Sequence, residues 1–467
     1  MEKINVVILA AGQGKRMNSN LPKVLHKVGN IPMLINVVNT ATKLNPNKIV
    51  IVYGHGGEIV LDTFKDENNK KYFTNNIIPD ITWVHQTEQL GTGHALKCAI
   101  NELESDAITL LLYGDVPLIS EKTLQQMLVQ YKKNIVMLTA NLPDPFGYGR
   151  IVRDNSNHIT RIVEEKDATP IERQITEVNS GIYLLPNSEL PQWLNKLSNN
   201  NSQNEYYVTD LIAMAHNAKV FIDAVETSNL DEIMGVNNKL QLEYLERKLQ
   251  LQKANELLAS GATLIDKSRI DIRGTLSVGR DCIIDVNCIF EGNVILGNNV
   301  TIGASVILKN IEVNDNIEIK PYSIMEDAII GSNSQIGPFA RIRPGSVLAD
   351  GVHIGNFVEV KKSIIGEGSK VNHLTYIGDA EIGSKVNVGA GSVTCNYDGK
   401  NKSKTIIKDN VFVGSGTMMV APVKIGAGSV IGAGSVITKD TPENELTVAR
   451  AKQTTILGWL KKNRQNK

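Results

Sequence analysis

The stretch "LAAGQGKRMNSNLPKVL", residues 9–25, sets a glycine turn in front of three cations, Lys15, Arg16 and Lys23. It fits neither of the two best-known phosphate loops. Met17 stands where a dinucleotide fingerprint needs its third glycine, and Gly14-Lys15 is followed by Arg16 where a Walker A loop needs Ser or Thr. The residue types still suit a phosphate chain. A glycine turn lets backbone N–H groups of Leu9, Ala10, Ala11 and Gly12 come close to phosphate oxygens. Arg16 offers a planar fork of donors and Lys23 a point charge, both able to neutralise charge that develops on phosphorus. Asp115 ends the apolar run "LLLYGD", where a carboxylate has little packing value and a hard oxygen ligand for Mg2+ is the natural alternative. Far along the chain, "VNHLTYIGDAEIG" carries His373, a lone imidazole of the kind that takes protons near neutral pH.

The elements that must position these residues follow two different patterns. Up to about residue 228, short β-rich runs ("INVVILAA", "KIVIVYG", "ITWVHQ", "AITLLLYGD", "NIVMLTANL") alternate with amphipathic stretches ("PKVLHKVGNIPMLINVVNTATKL", "GTGHALKCAINEL", "EKTLQQMLVQYKK"). The alternation predicts a parallel sheet with helices on both faces, an α/β Rossmann-like domain. In such sheets ligands sit beyond the carboxyl ends of the strands, so "LAAGQGKR", "HQTEQLGTGHA" and "YGDVPL" are expected on one rim. Residues 231–261 then read as a linker helix, with Leu242, Leu245 and Leu249 on one face and Gly261 as its stop.

Past residue 262 a six-residue period takes over. Val278, Ile284, Phe290, Leu296, Ile302 and Leu308 mark it first. Ile336, Ile342, Leu348, Ile354 and Val360 repeat it, as do Val413, Met419, Ile425, Ile431 and Ile437. Hexapeptide periodicity is the mark of a parallel β-helix, in which each six residues make one flat face and a corner. At three faces per coil and strands about 4.8 Å apart, a prism of roughly ten coils and about 45 Å is expected. The phase slips by one residue near 308–313, 325–330 and 360–365, and "CNYDGKNKSK" breaks the repeat after Thr394 as an extruded loop.

Composition narrows the class further. The 467 residues carry 49 Lys plus Arg against 49 Asp plus Glu, so no bulk field points to nucleic acid or to a membrane surface. No run reaches the ~18 apolar residues of a membrane helix, and "INVVILAAG" reads as a buried strand rather than a signal peptide. Cys98, Cys282, Cys288 and Cys395 form no C-x-x-C pair and read as reduced thiols of a cytoplasmic protein.

The glycine-lysine segment, "GTGHA", "YGD", "GYGR", "VNSG", "GVNN", the hexapeptides, "NHLTYIGDAEIG" and "CNYDG" occur here in one order. In that order the chain resembles the bifunctional N-acetylglucosamine-1-phosphate uridyltransferase and glucosamine-1-phosphate acetyltransferase family, from about residue 5 to 450. The resemblance implies a nucleotidyltransferase domain at 1–230 and a left-handed β-helix acetyltransferase domain at 262–450, followed by a basic tail at 451–467. It implies UTP and acetyl-CoA as substrates, Mg2+ at the uridyltransferase site, and trimers with acetyl-transfer sites between subunits. It adds Asn237 as the second Mg2+ ligand beside Asp115. Gln86, Gly91 and Thr92 would meet the uracil, Tyr113 and Gly114 the nucleotide, and Gly149, Glu164 and Asn179 the sugar. In the second domain His373 would be the general base, and Arg343, Lys361, Tyr376 and Asn387 would hold glucosamine 1-phosphate. Ala390, Asn396, Tyr397, Ser415, Ala433 and Arg450 would hold acetyl-CoA, the oxyanion donors lying around Asn396–Tyr397 and Ser415. The family commonly shows Gly-Thr-Arg where this chain has Gly14-Lys15-Arg16, and Lys15 is given no role. Within that resemblance the product feeds the bacterial cell envelope, and the intermediate is expected to diffuse between the sites. A single-activity sugar nucleotidyltransferase with the β-helix as an assembly scaffold is the alternative, against which His373 and the "CNYDG" loop speak.

Overall fold

The computed structural model describes residues 2–460; the basic end of the tail, 461–467, lies outside them. The chain divides between Leu249 and Gln250 into two compact units.

The first unit is built on a sheet whose order is Ile222–Glu226, Ile135–Asn141, Glu177–Pro186, Ile108–Tyr113, Ile4–Ala10, Lys48–Tyr53, Thr82–His85. The five apolar runs singled out from the sequence all form strands in it; four bury both faces and are rich in Val, Ile and Leu, whereas Thr82–His85, at the edge, is only half-buried. Ile4–Ala10 is central, parallel to Lys48–Tyr53 on one side and to Ile108–Tyr113 on the other. The sheet is not wholly parallel, however. Glu177–Pro186 enters antiparallel between Ile108–Tyr113 and Ile135–Asn141, and also pairs with an added hairpin, Arg150–Arg153 with Ile159–Val163. Helical periodicity over 22–44 is only half realised. Gly29 and Asn30, with φ of 65° and 66°, turn the chain through a short ribbon before the helix Met33–Thr42 begins. Helices Thr92–Ala99 and Glu121–Gln130 form where the sequence places them, the second capped by Ser120, whose Oγ accepts from Thr123 N at 3.1 Å.

The long helix runs Lys239–Ala259, shorter at its start than the 231–261 reading, because Leu230–Ile233 makes a separate turn. Leu245 is buried with Met17, Val28, Met33 and Val236, and Leu242 and Leu249 pack beside it. Further on, Ala254 and Leu257 belong to the core of the second unit.

That second unit is the β-helix. Its inward column matches the period read from sequence: Ile284, Phe290, Leu296, Ile302 and Leu308 are buried, as are all the later residues of both other series. Val278, in an early coil, is only partly buried. One face forms an 11-stranded parallel sheet; the other two are joined in a 15-stranded sheet because strands such as Ile270–Val278 run on around a corner. Side chains stack on their copies 17 or 18 residues away, for example Asn299 on Asn316 and Thr275 on Asn293. The slips have a local cause. At Asn310, Asp327 and Lys362 a single residue in left-handed conformation, φ 46°, 45° and 45°, makes the corner that elsewhere takes two. At another corner Tyr322, Phe339 and Phe357, all at positive φ and all exposed, stack ring on ring at 5.1 and 5.2 Å.

A column in which each side chain supports the next makes every core position sensitive. Ile354→Ala, 1 % exposed in the native state, is expected to lower the unfolding free energy by about 2–5 kcal/mol, read from a denaturant midpoint. A loss under 1 kcal/mol would contradict the stacked-column account.

Candidate active sites

In the first unit the register of Ile4–Ala10 with its neighbours puts Leu9 beside Tyr113 and Val52, so the loops after three strands open on one rim. A cavity of 480 Å3 lies there, lined by Leu9, Ala10, Ala11, Gly12, Lys23, Gln86, Gly91, Thr92, Tyr113 and Asp115, residues singled out in the sequence. Gln13, Gln89 and Glu205 line it too and carried no signal of their own. Gly114 lies behind the lining, its N–H donating to Leu9 O at 2.9 Å. Gly14 explains how Lys23 reaches the cavity. Its φ is 62°, and a Cβ there would stand 2.7 Å from Lys23 Cβ, so only glycine lets the two segments lie together.

Charge gathers at the mouth. Lys23 Nζ is ion-paired to Asp115 Oδ2, and Asn237 Oδ1 lies 3.5 Å from Nζ. Arg16 Nη2 donates to the same Asn237 oxygen at 3.0 Å. Asn237 is set by the start of the long helix, where Gln241 Oε1 accepts from its N–H at 2.7 Å. A carboxylate oxygen and an amide oxygen thus converge on one ammonium ion. This pair of hard oxygens is a donor set that suits Mg2+ completed by phosphates and water. Among the described residues no cluster of three or more His, Cys, Asp or Glu side chains offers a self-sufficient metal site.

Gly149, Glu164 and Asn179 are brought together as a second group, but they are not among the residues lining this cavity. The antiparallel strand Glu177–Pro186 carries Asn179 to Gly149, whose O accepts from Asn179 N at 2.9 Å. A Cβ at Gly149 would stand 2.9 Å from Ile162 and 3.5 Å from the Glu164 carboxylate, so the missing side chain leaves room beside that group. Asn179 Oδ1 is taken by Tyr183 OH at 2.8 Å and Gly181 N at 3.1 Å, which leaves its NH2 as a donor. Tyr183 escaped the sequence reading because a Tyr inside an apolar strand looks like core. Burial keeps the Tyr113 and Tyr183 phenols protonated far above their ordinary range, and nearby Glu164 adds to the effect in both. Burial also raises Glu164 itself, with Asp210 and Asp167 adding to the shift, although Thr209 Oγ1 donates to it at 3.0 Å.

In the second unit the corner after Lys370–His373 carries His373. Asn356 stacks one coil below it, and His373 Nδ1 lies 2.9 Å from Asn356 Oδ1. A carboxamide oxygen only accepts, so Nδ1 donates and Nε2 keeps the lone pair. Asn356 was missed because nothing local marks it; only the 17-residue stacking does. From His373 a track of small residues climbs the same corner. Gly391 N donates to His373 O, Gly416 N to Ala390 O, and Gly434 N to Ser415 O, at 3.2, 2.8 and 2.8 Å. Arg450 closes the track, donating to Ala433 O. Gly391, Gly416 and Gly434 at φ near 70° leave three successive turn positions bare, flanked only by the small side chains of Ala390, Ser415 and Ala433.

Across the next corner lies a basic group. Arg343 Nη1 donates to Glu359 Oε1 at 2.7 Å, and Tyr376 stacks over Glu359. Gly378 accommodates the Tyr376 ring, since a Cβ there would come within 2.3 Å of its hydroxyl. Lys361 Nζ lies 3.3 Å from Asp379 Oδ2, which also accepts from Asn396 Nδ2. Partial burial works against ionisation of Asp379, but these two partners hold its carboxyl below the ordinary range. Lys402, unread in the sequence, meets Lys361 from the extruded loop, which folds back through the Tyr397–Lys402 bridge. The contact holds Lys361 above and Lys402 below the usual ammonium range. Asn387 is not brought to this group: it stacks over Lys370 in the other sheet. Tyr397 is exposed at the loop, its hydroxyl donating to Gly399 O.

The raised Glu164 has a consequence for stability. Its folded pKa exceeds its unfolded one, so its contribution is complete below the unfolded value and is lost as pH rises through the folded value. Glu164→Gln, which removes the buried charge, is therefore expected to raise the thermal midpoint at pH 8 relative to the native chain and to lose that advantage at pH 4. An equal shift at both pH values would contradict the burial of an ionising carboxylate.

Three family models match the chain: the MobA-like NTP transferase domain over residues 6–174, the GMPPB C-terminal domain over 272–365, and the bacterial transferase hexapeptide (six repeats) over 404–439. Among curated relatives, the Bifunctional protein GlmU of Chromobacterium violaceum is 55% identical over 459 residues, covering 98% of each chain. That of Acinetobacter baylyi is 53% identical over 449 residues, covering 96% of each. That of Nitrosomonas eutropha is 50% identical over 469 residues, covering 100% of each. With identity of this order over nearly the full length of each chain, the chain belongs to the bifunctional GlmU family, enzymes that join a nucleotidyltransferase to an acetyltransferase.

Proposed function

We propose that the chain carries out two consecutive group transfers. The amine of glucosamine 1-phosphate attacks the thioester of acetyl-CoA, giving N-acetylglucosamine 1-phosphate and free coenzyme A. The phosphate of that product then attacks the α-phosphorus of UTP, giving UDP-N-acetylglucosamine and pyrophosphate. We assign the second step to residues 1–230 and the first to 262–450, with 231–261 as the segment between. What carries this reading against a nucleotidyltransferase on an inert scaffold is His373, whose Nδ1 is tied to Asn356 while the residue stands exposed below the bare turn positions of Gly391, Gly416 and Gly434.

For acetyl transfer, His373 Nε2 takes the amine proton as nitrogen attacks the carbonyl carbon, a role that typically contributes about 10²–10⁴-fold in rate. Arg343, Lys361 and Lys402 offer cationic partners for the sugar phosphate, and the track from Ala390 through Ser415 and Ala433 to Arg450 suits a pantetheine chain ending in phosphates. Asn396, Tyr397 and Ser415 are the candidate oxyanion donors. For uridylyl transfer, no protein nucleophile is needed; positioning and charge carry the step. Leu9 to Gly12 cradle the triphosphate, Arg16 and Lys23 neutralise it, and Gly149, Glu164 and Asn179 hold the sugar. Asp115 and Asn237 would hold Mg2+, which when bound neutralises phosphate charge.

We further place the protein in the cytoplasm, feeding cell-envelope synthesis, and as a trimer. Unpaired cysteines support the first point. The exposed aromatic corner at Tyr322, Phe339 and Phe357, and the separation of Asn387 from Arg343 and Lys361 into different sheets, support assembly of a site by more than one copy. Light scattering should give the mass of three chains; a monomer would refute the assembly.

Mass spectrometry of one mixture of protein, glucosamine 1-phosphate, acetyl-CoA, UTP and Mg2+ tests the whole reading, and UDP-N-acetylglucosamine with free coenzyme A is the expected outcome. His373→Ala should lower acetyl transfer by about 10²–10⁴-fold and spare uridylyl transfer, whereas chelation of Mg2+ should do the reverse. If product forms only when N-acetylglucosamine 1-phosphate is supplied, the β-helix is a scaffold and the acetyl-transfer site is wrong.

A further inference from the structure

The two oxygens read as Mg2+ ligands are held by cations of this same chain. Val236 N donates to Asp115 O at 2.9 Å, a main-chain bond that sets Asn237 beside Asp115. Gln241 Oε1 accepts from Asn237 N at 2.7 Å and fixes it from the other side. The oxygens are thus placed by backbone, whereas the cations that reach them stand on long side chains. Lys23 Nζ is ion-paired to Asp115 Oδ2 and lies 3.5 Å from Asn237 Oδ1. Arg16 Nη2 donates to that same Asn237 oxygen at 3.0 Å. An amide oxygen offers two lone pairs, and Lys23 and Arg16 both approach this one. The ion pair is not a solvent-screened surface pair, because the Lys23 and Asp115 side chains are only 13 % and 17 % exposed. Lys15, the remaining cation of the loop, is exposed and stays outside the cavity lining.

We propose that Lys23 is a place-holding cation on the Mg2+ ligands, so that metal and triphosphate bind the site cooperatively rather than independently. The proposal rests on the reading of Asp115 and Asn237 as those ligands. When Mg2+ arrives alone, Lys23 has to give up Asp115 Oδ2 and remain next to a dication, with no anion to receive its ammonium. A triphosphate offers phosphate oxygens to Lys23 and Arg16, and their turning to it frees the carboxylate and amide oxygens for the metal. The four-carbon stem of Lys23 permits that swing, while Asp115 stays tied to Val236. Lys23 also keeps the Asp115 carboxylate from facing an incoming polyanion uncompensated. The coupling is reciprocal: the factor by which triphosphate strengthens metal binding is the factor by which metal strengthens triphosphate binding.

The test titrates Mn2+ alone, a paramagnetic stand-in for Mg2+, into the full chain and reads binding by electron paramagnetic resonance, without nucleotide or turnover. Lys23→Met removes the ammonium and keeps the stem. Lys23→Gln removes the charge but keeps a donor for Asp115, which covers the case in which the first variant folds poorly. Both are expected to bind Mn2+ about tenfold or more tighter than the native chain, the order by which one neighbouring charge alters the hold of a carboxylate on a proton. Lys15→Met, which removes an exposed and screened cation of the same loop, should stay within about twofold. Unchanged or weaker binding in the Lys23 variants would overturn the proposal. So would an equal gain from Lys15→Met, since the effect would then be one of net charge. Asp115→Asn separates the two layers. Added to Lys23→Met it should abolish the gain; a gain that survives it puts the metal elsewhere and removes the reading of Asp115 as a ligand together with the proposal. If Asp115→Asn weakens Mn2+ retention in the presence of UTP while the Lys23 variants bind Mn2+ alone no better than the native chain, that reading stands and only the role of Lys23 falls.

Discussion

A parallel strand cannot satisfy its own backbone. Every N–H and C=O must be met by a neighbour in fixed register, and both candidate sites are consequences of that requirement. In the first unit the register of Ile4–Ala10 between Lys48–Tyr53 and Ile108–Tyr113 makes three strands end together, so that loops far apart in sequence share a rim. In the second unit the same rule, applied coil upon coil, sets Asn356 under His373 and Ser415 between Ala390 and Ala433. Slipping either ladder by one residue would turn core side chains outward and scatter the polar ones. The hydrophobic column and the chemistry are therefore set by one geometric condition.

The two sites use that frame differently. The nucleotide cavity concentrates fixed charge: Lys23, Arg16, Asp115 and Asn237 are held against one another before any ligand arrives. Such preorganisation suits phosphoryl chemistry, where charge must be met without reorganisation at the moment of reaction. A cost appears at Glu164, outside the cavity lining, where partial burial disfavours the carboxylate and Asp210 and Asp167 add to the effect. The β-helix corner works instead by subtraction. Gly391, Gly416 and Gly434 strip one edge of side chains, while the neighbouring corner keeps Arg343, Lys361 and Lys402 outside on a scaffold that never has to bury them.

Much of this was legible in the sequence, for physical reasons. A six-residue period admits few folds other than the β-helix, and buried parallel strands announce themselves as unbroken Val, Ile and Leu. The glycine turn with Arg16 and Lys23 could be read because cations behind a turn have no packing explanation. Asn356, Lys402 and Tyr183 could not be read so. Asn356 and Lys402 act by stacking or folding back across coils. Tyr183 is hidden as core. The antiparallel entry of Glu177–Pro186 was equally invisible, since an apolar strand does not declare its direction. The ribbon at Lys27–Pro32 was missed because the helical period ran on through Gly29 and Asn30, whose left-handed backbone breaks it.

The central claim is that one chain carries two complete and separable activities joined by a released intermediate. The most direct measurement mixes two variants, Lys23→Ala, impaired in uridylyl transfer, and His373→Ala, impaired in acetyl transfer. Each is supplied with glucosamine 1-phosphate, acetyl-CoA, Mg2+ and UTP, and UDP-N-acetylglucosamine is followed over time. Two nearly silent variants should together make product after a lag, and added N-acetylglucosamine 1-phosphate should abolish the lag. A mixture that stays silent, while each variant keeps its own half-reaction, would contradict the account.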